Sequence, residues 1–270
     1  MELADIASQM PWFFYISALL FGLIVGSFLN VVVWRWPREE SLITPGSHCP
    51  KCGKAISWYD NLPVLSWIIL AGRCRSCKEP ISVRYPLIEL AVGLVSVLCF
   101  WCFGPSRWYF ISFAFFAALF AASIIDLEHR LIPDEISIGG VIIGMGLAFL
   151  PGNRVSVSQS IAGAVLGFLI LFIVAESYRL IAKKEGMGMG DAKLLAMIGA
   201  FLGWRSLPLV LFAGSTLGSV IGVALILASR DRMYKIPFGP FLSVGALVWT
   251  VIESKGIHLG ASSFGRFLGI

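Results

Sequence analysis

Charge is what this sequence has least of. Only 14% of its 270 residues are Asp, Glu, Lys or Arg, against about 25% in an ordinary soluble domain. By contrast 57% are hydrophobic, and the mean hydropathy is +0.84. A core of this chain length cannot take in so much apolar side chain. A water-soluble globule is therefore excluded, and the surplus must face lipid. The net charge of +5 is too small to imply a nucleic-acid partner. No basic region opens the chain, since the first ten residues carry Glu2 and Asp5 and no Lys or Arg. The apolar run over 11–33 is thus expected to be a retained span rather than a cleavable signal. Six cysteines are too few for a disulfide scaffold, and four of them fall in two tight pairs. That pattern points to a metal in a reducing compartment. Internal repeats and low-complexity tracts are also missing.

What is present is a series of apolar stretches near 12–34, 86–104, 107–126, 159–180, 207–228 and 237–253, with weaker ones near 136–150 and 192–204. Lipid offers no partner to an unpaired backbone group, so each is expected to be a helix. The fold class is all-α: a polytopic membrane bundle of about eight transmembrane helices with one small extramembrane loop domain. At about 1.5 Å per residue, the 192–204 stretch covers only about 20 Å of a roughly 30 Å hydrocarbon core, and is expected to be either a partial span or a span extended by flanking residues. With eight spans and the N-terminus outside, the inward segments are 35–85, 127–135, 181–193 and 229–236. Taken with Arg179, they hold sixteen of the twenty-one Lys and Arg. Arg107, Arg154, Arg205, Lys255 and Arg266 remain outside. This is the bias that the positive-inside rule demands.

The 35–85 loop is too small to stand on a hydrophobic core and needs a staple. Cys49-Pro-Lys-Cys52 and Cys74-Arg-Ser-Cys77 supply one. Two such pairs complete a tetrahedron of thiolates around Zn2+, closed to water and therefore structural. The interval between them is expected to form a strand-turn-strand. Lys51, Lys54, Arg73 and Arg75 are expected to help keep the thiolates ionised. His48 is a bystander to four sufficient ligands. Cys99 and Cys102 lie in an apolar helix and are expected to behave as small hydrophobes.

Ionisable groups in apolar segments are functional candidates by default. Asp126 closes the 107–126 stretch, and Asp191 follows the run Gly186-Met-Gly188-Met-Gly190. Both fall at the cytoplasmic ends of their spans. Two adjacent carboxyls share a proton, so that one acts as base toward water and the other as acid toward a carbonyl. Metal-free peptide hydrolysis fits such a pair. The competing reading makes Asp126 an ordinary helix-end residue and Asp191 an N-cap, and the residues alone do not choose. The glycines lack a preceding strand and a following Lys-Ser/Thr, so a nucleotide loop is excluded. They are expected to let backbone approach a substrate strand. Glu89 and Glu176 are expected either to pair with a nearby Arg or, for Glu89, to line a site near the zinc loop.

Several motifs follow one another in order. Gly26-Ser27-Phe28-Leu29-Asn30 is followed by the two cysteine pairs with Gly72-Arg73, then Arg84-Tyr85-Pro86-Leu87-Ile88-Glu89-Leu90. Asp126 with Ile132-Pro133-Asp134 comes next, and then Gly188-Met189-Gly190-Asp191 with Lys193. Together they resemble the prepilin leader peptidase/N-methyltransferase family, the bifunctional processing enzymes of type IV pili and type II secretion. Gly188-Met189-Gly190-Asp191 is the GxGD motif shared with presenilin-like intramembrane proteases. The resemblance implies Asp126 and Asp191 as the catalytic pair. It implies prepilin or pseudopilin substrates cut after a basic leader ending in Gly, at the cytoplasmic face of the bacterial inner membrane. It also implies methyl transfer from S-adenosylmethionine to the new N-terminal residue, associated with the 35–85 region, where Gly72 matches an implicated position. The domains are then a first transmembrane helix (1–34), a cytoplasmic zinc-binding loop domain (35–85) and a transmembrane aspartic peptidase domain (86–270). Trp36-Pro37 and Ile132-Pro133 stand where Leu-Pro is commoner in the family. No dinucleotide-type glycine fingerprint locates the methyl donor. A peptidase without methyl transfer is the alternative, disfavoured by the intact cysteine quartet. A non-enzymatic transporter or scaffold is the alternative from another class.

Overall fold

The computed structural model describes residues 10–183, 188–229 and 237–256. Glu2, Asp5, Gly186, Arg266 and most of the expected inward segment 229–236 lie outside the described residues. Among those described, the α-helices are α1 (Pro11–Arg35), α2 (Leu65–Ile69), α3 (Arg84–Phe103), α4 (Arg107–His129), α5 (Asp134–Leu147), α6 (Val157–Ala182), α7 (Met189–Leu202), α8 (Leu207–Ser229) and α9 (Gly239–Ser254). Each of the eight apolar stretches in the sequence forms one of these helices, and there is no strand among the described residues. Five are long and apolar enough to cross a bilayer: α1 with its 3-10 extension, α3, α4, α6, and α8 with the turn before it. This is a multi-pass membrane protein.

Two compact units divide the chain at residues 121/122, with α4 running through the boundary. In the first, α1 packs along α3. Small residues make the approach possible, because helices in lipid associate through close van der Waals packing. A Cβ on Gly22 would lie 2.5 Å from the Ser96 Cβ, and one on Gly26 would lie 2.8 Å from the Glu89 Cα. The Ser96 hydroxyl donates to the Ala18 carbonyl at 2.7 Å. At the end of α1 the buried Arg35 donates to the Ser41 and Pro45 carbonyls, at 2.9 and 2.7 Å. That bond pair starts the 35–85 loop on a fixed path.

In the second unit α7 is the centre. Leu194, Leu195 and Ile198 have no exposure, and α5, α6 and α9 pack around it. Gly163 of α6 sits so close that a Cβ there would come within 2.1 Å of the Gly199 carbonyl oxygen. Ser160 donates to the Ala200 carbonyl at 2.7 Å. At fourteen residues, α7 is about 21 Å long and too short to cross. Enclosure by protein removes the need for it to meet lipid. α6 begins at a capping box, in which Ser156 and Gln159 satisfy each other's backbone N–H groups.

Candidate active site and metal centre

The four cysteines of the loop converge. The Sγ atoms of Cys49, Cys52, Cys74 and Cys77 all lie within 4.8 Å of one another, and Cys49 and Cys77 are 3.7 Å apart. A tetrahedral metal with bonds of about 2.3 Å to sulfur requires sulfurs about 3.8 Å apart, so the donor set fits zinc. The two pairs are built alike. Cys49 N–H donates to the Lys54 carbonyl and Gly53 N–H to the Cys49 carbonyl; Cys74 N–H donates to the Glu79 carbonyl and Lys78 N–H to the Cys74 carbonyl. Gly53 and Lys78 occupy the same left-handed corner, at φ +67° and +63°. Each knuckle closes with a single bridge, His48 to Ala55 and Arg73 to Pro80. These bridges are all that appears of the expected strands. The interval instead holds a 3-10 turn (Trp58–Asn61) and α2.

Backbone N–H groups, not side-chain cations, favour the thiolates of Cys49 and Cys74. The N–H groups of Cys77 and Ser76 hold Cys74 at about 6, and those of Cys52 and Lys51 lower Cys49. At Cys77 the Glu79 N–H favours the thiolate, but burial and the neighbouring thiols outweigh it and push the group up to about 12. Lys51 lies 3.7 Å from Glu79. Arg75 grips Asp60 with two bonds of 2.7 and 2.6 Å, and holds that carboxyl below its usual range.

The Glu89 carboxylate accepts from the Val64 N–H at 2.7 Å. Val64 holds φ +61°, a conformation that costs a β-branched residue about 1–3 kcal/mol, so Glu89 anchors a strained corner. Two turns on, Gly72 sits at φ +65°, where a Cβ would meet the Trp67 ring at 2.9 Å. Its N–H donates to the Trp67 carbonyl and its own carbonyl accepts from Ile81. Trp67 Nε1 donates to the Ile81 carbonyl at 3.0 Å. Glu176 pairs with Arg179 at 2.6 Å. Cys99 is buried within α3 and Cys102 half-buried.

The second unit brings the two aspartates together. Asp126 lies in the last turn of α4, 6% exposed, and its Oδ2 accepts from the Gly239 N–H at 3.1 Å. Three residues earlier, Ser123 shares a hydrogen bond of 2.9 Å with Ser243. These contacts seat the end of α4 against the start of α9. Asp191 lies in the first turn of α7, where Gly188 is the N-cap and no side chain caps the helix. The N-cap reading of Asp191 is therefore replaced by a buried acid. Its Oδ1 has no hydrogen-bond partner among the described residues. Asp126 is near enough for its charge to act on Asp191. Ile132 fills the corner between them, since a Cβ on Gly190 would meet it at 3.1 Å and one on Gly239 at 3.3 Å. Lys193 pairs with Asp134 at 2.7 Å, tying the start of α7 to the start of α5. Gly239, Ser243 and Trp67 were not singled out in the sequence. The Phe-Gly-Pro step at 238–240 was the available signal for the first, because glycine before a helix-starting proline marks a close approach.

Residues 20–103 match the bacterial peptidase A24 N-terminal domain, and residues 113–223 the type IV leader peptidase family. A prepilin leader peptidase/N-methyltransferase of Aeromonas hydrophila is 38% identical over 276 residues, covering 92% of this chain and 94% of the relative. The chain belongs to the prepilin leader peptidase/N-methyltransferase family. Proteins of the same name from Pseudomonas putida and Pseudomonas aeruginosa are 39% and 37% identical, each covering 92% of this chain and 95% of their own. No solved structure matches the chain. Family membership accounts for the order of motifs along the chain, and the two matched regions separate the cysteine loop from the paired aspartates.

Proposed function

We propose that this protein cleaves the leader peptide of type IV prepilins or pseudopilins with Asp126 and Asp191, and N-methylates the new N-terminus with S-adenosylmethionine. The observation that carries the reading is the Asp191 carboxylate, buried beside a second acid with an oxygen that no described residue satisfies. A buried acceptor without a partner is costly, and a water that donates to it is the group that relieves it. One carboxyl of the pair takes a proton from water as the water attacks the scissile carbonyl. The other, protonated, donates to the carbonyl oxygen, and the proton then passes to the leaving amine. Gly239 N–H fixes one oxygen of Asp126, which orients the remaining one. The Gly188 backbone, at the mouth of α7, has open space about it, with room for an extended peptide. The excess of Lys and Arg in the inward segments supports a site at the cytoplasmic face of the bacterial inner membrane.

Cys49, Cys52, Cys74 and Cys77 would hold a structural zinc with no position open to water. The loop domain 35–85 is the methylation-associated part, and the helices of 86–270 form the peptidase. The Gly72 N–H and carbonyl both bond within the loop, which favours a packing role over a contact with the methyl donor. Gly72 acts by giving Trp67 its seat. The test is cleavage of a precursor pilin by membranes carrying Asp126→Asn or Asp191→Asn. Each substitution is expected to lower cleavage at least a thousandfold, and undiminished cleavage by both ends the peptidase reading. Mass spectrometry of the wild-type product reports the cut site and the added methyl group together.

A further inference from the structure

The interval between the two knuckles is turned inside out for a water-facing loop. In α2 the polar Ser66 is buried, donating to the Tyr59 carbonyl and accepting from the Leu62 N–H, both at 3.0 Å. Leu65, Ile68 and Ile69 point outward at 57, 61 and 73% exposure, and Trp58 is 80% exposed. From Ile56 to Gly72 the single charged residue is Asp60, and Arg75 neutralises it with two hydrogen bonds. A contiguous apolar face of this kind marks a surface that something apolar covers.

The position of the segment says what covers it. Val64, next to the exposed Leu65, donates to Glu89. Glu89 is the sixth residue of α3, a membrane-spanning helix that begins at Arg84, so at 1.5 Å per residue it lies about 7.5 Å along the helix. The loop therefore returns beside its own membrane span to that depth, within the roughly 5–10 Å reached by interfacial helices. Exposed Trp34 near the end of α1 and exposed Tyr85 at the start of α3 are the aromatic types that mark the membrane–water boundary. Exposed Lys54 precedes the apolar stretch, and exposed Arg73 and Lys78 follow it, as suits anionic headgroups.

We propose that residues 62–69, with Trp58, form a re-entrant tongue that dips into the headgroup–acyl boundary of the leaflet holding α1 and α3, and so pins the cysteine cluster against the bilayer surface. The occupant of the apolar face is lipid. The full chain, carrying p-benzoyl-phenylalanine at position 69, is placed in vesicles of phosphatidylcholine and phosphatidylglycerol and irradiated. Intact-mass analysis is expected to show a lipid adduct at position 69, at least tenfold more than with the same probe at position 54. Equal yields at the two positions, or adducts at 69 to protein in place of lipid, overturn the proposal. A second measurement leaves position 69 unaltered. Lipids brominated near the headgroup are expected to quench tryptophan emission of the wild type more than that of Trp58→Phe, and equal quenching also overturns it.

Discussion

The cysteine loop and the aspartate corner solve opposite problems. The loop collects four thiols from two short, nearly identical turns, and every ligand comes from a backbone corner that its own five or six residues define. The corner collects two acids from the end of one helix and the beginning of another, and depends on α5, α6 and α9 to hold α7 in place. One site is closed by its donors, whereas the other keeps an oxygen that no described residue satisfies. A structural centre is best built from local geometry and saturated. A hydrolytic centre needs a group left wanting, and only a large, rigid surround can bear that cost.

The difference predicts separable damage. Gly163→Leu drives a side chain into the Gly199 carbonyl, at a cost above the usual 1–3 kcal/mol of overpacking. Cleavage is expected to vanish while metal content, measured by elemental analysis, stays near that of wild type. Loss of both, or of neither, breaks the comparison. The reverse lesion, Cys49→Ser with Cys74→Ser, is expected to remove the metal and lower methylation at least tenfold, leaving cleavage within about threefold, as mass spectrometry of the product will show. Acid sharpens the same point. Metal binding must displace the Cys77 proton at any ordinary pH, and below about 6 the Cys74 proton as well. Metal affinity therefore falls as pH falls, most steeply below about 6, and a chelator competition series across pH 5–8 reads it directly.

Smaller effects test the anchors. Glu89→Gln exchanges a charged acceptor for a neutral one at the strained Val64 corner, weakening the loop by about 1 kcal/mol. Limited proteolysis within 35–85 is expected to speed up about fivefold, with the second unit unaffected. Lys193→Ala removes a partly exposed ion pair worth less than about 1 kcal/mol, so cleavage is expected to stay within about twofold. A large loss there would place Lys193 in the chemistry itself.

Much of this was legible in the residues. Apolar length marked all eight long helices, because lipid tolerates little else, and C-x2-C spacing marked the thiol cluster, because a tight turn can present two sulfurs to one point. The expected strands between the pairs were wrong for a physical reason. Ser66 buried and Leu65, Ile68 and Ile69 outward is a helical pattern whose apolar side faces away from the loop, and strand propensity does not report that. Of the four cations expected to ionise the thiols, Arg75 is committed to Asp60 and Lys51 to Glu79. Asp191 could be read as a cap until its neighbours were placed, since an N-cap and a buried first-turn acid look alike in one dimension.

Sequence by itself determined which segments are helical and membrane-embedded, which four sulfurs belong together, and which acids stand at helix ends, since each follows from hydropathy or from spacing of a few residues. Tertiary structure alone decided that Asp126 rests on Gly239, that Asp191 Oδ1 lacks a partner among the described residues, and that Glu89 reaches Val64. Those contacts join residues far apart in the chain, and they exist only because glycine-lined helices approach one another closely enough to bring the backbone of one against the side chains of the next.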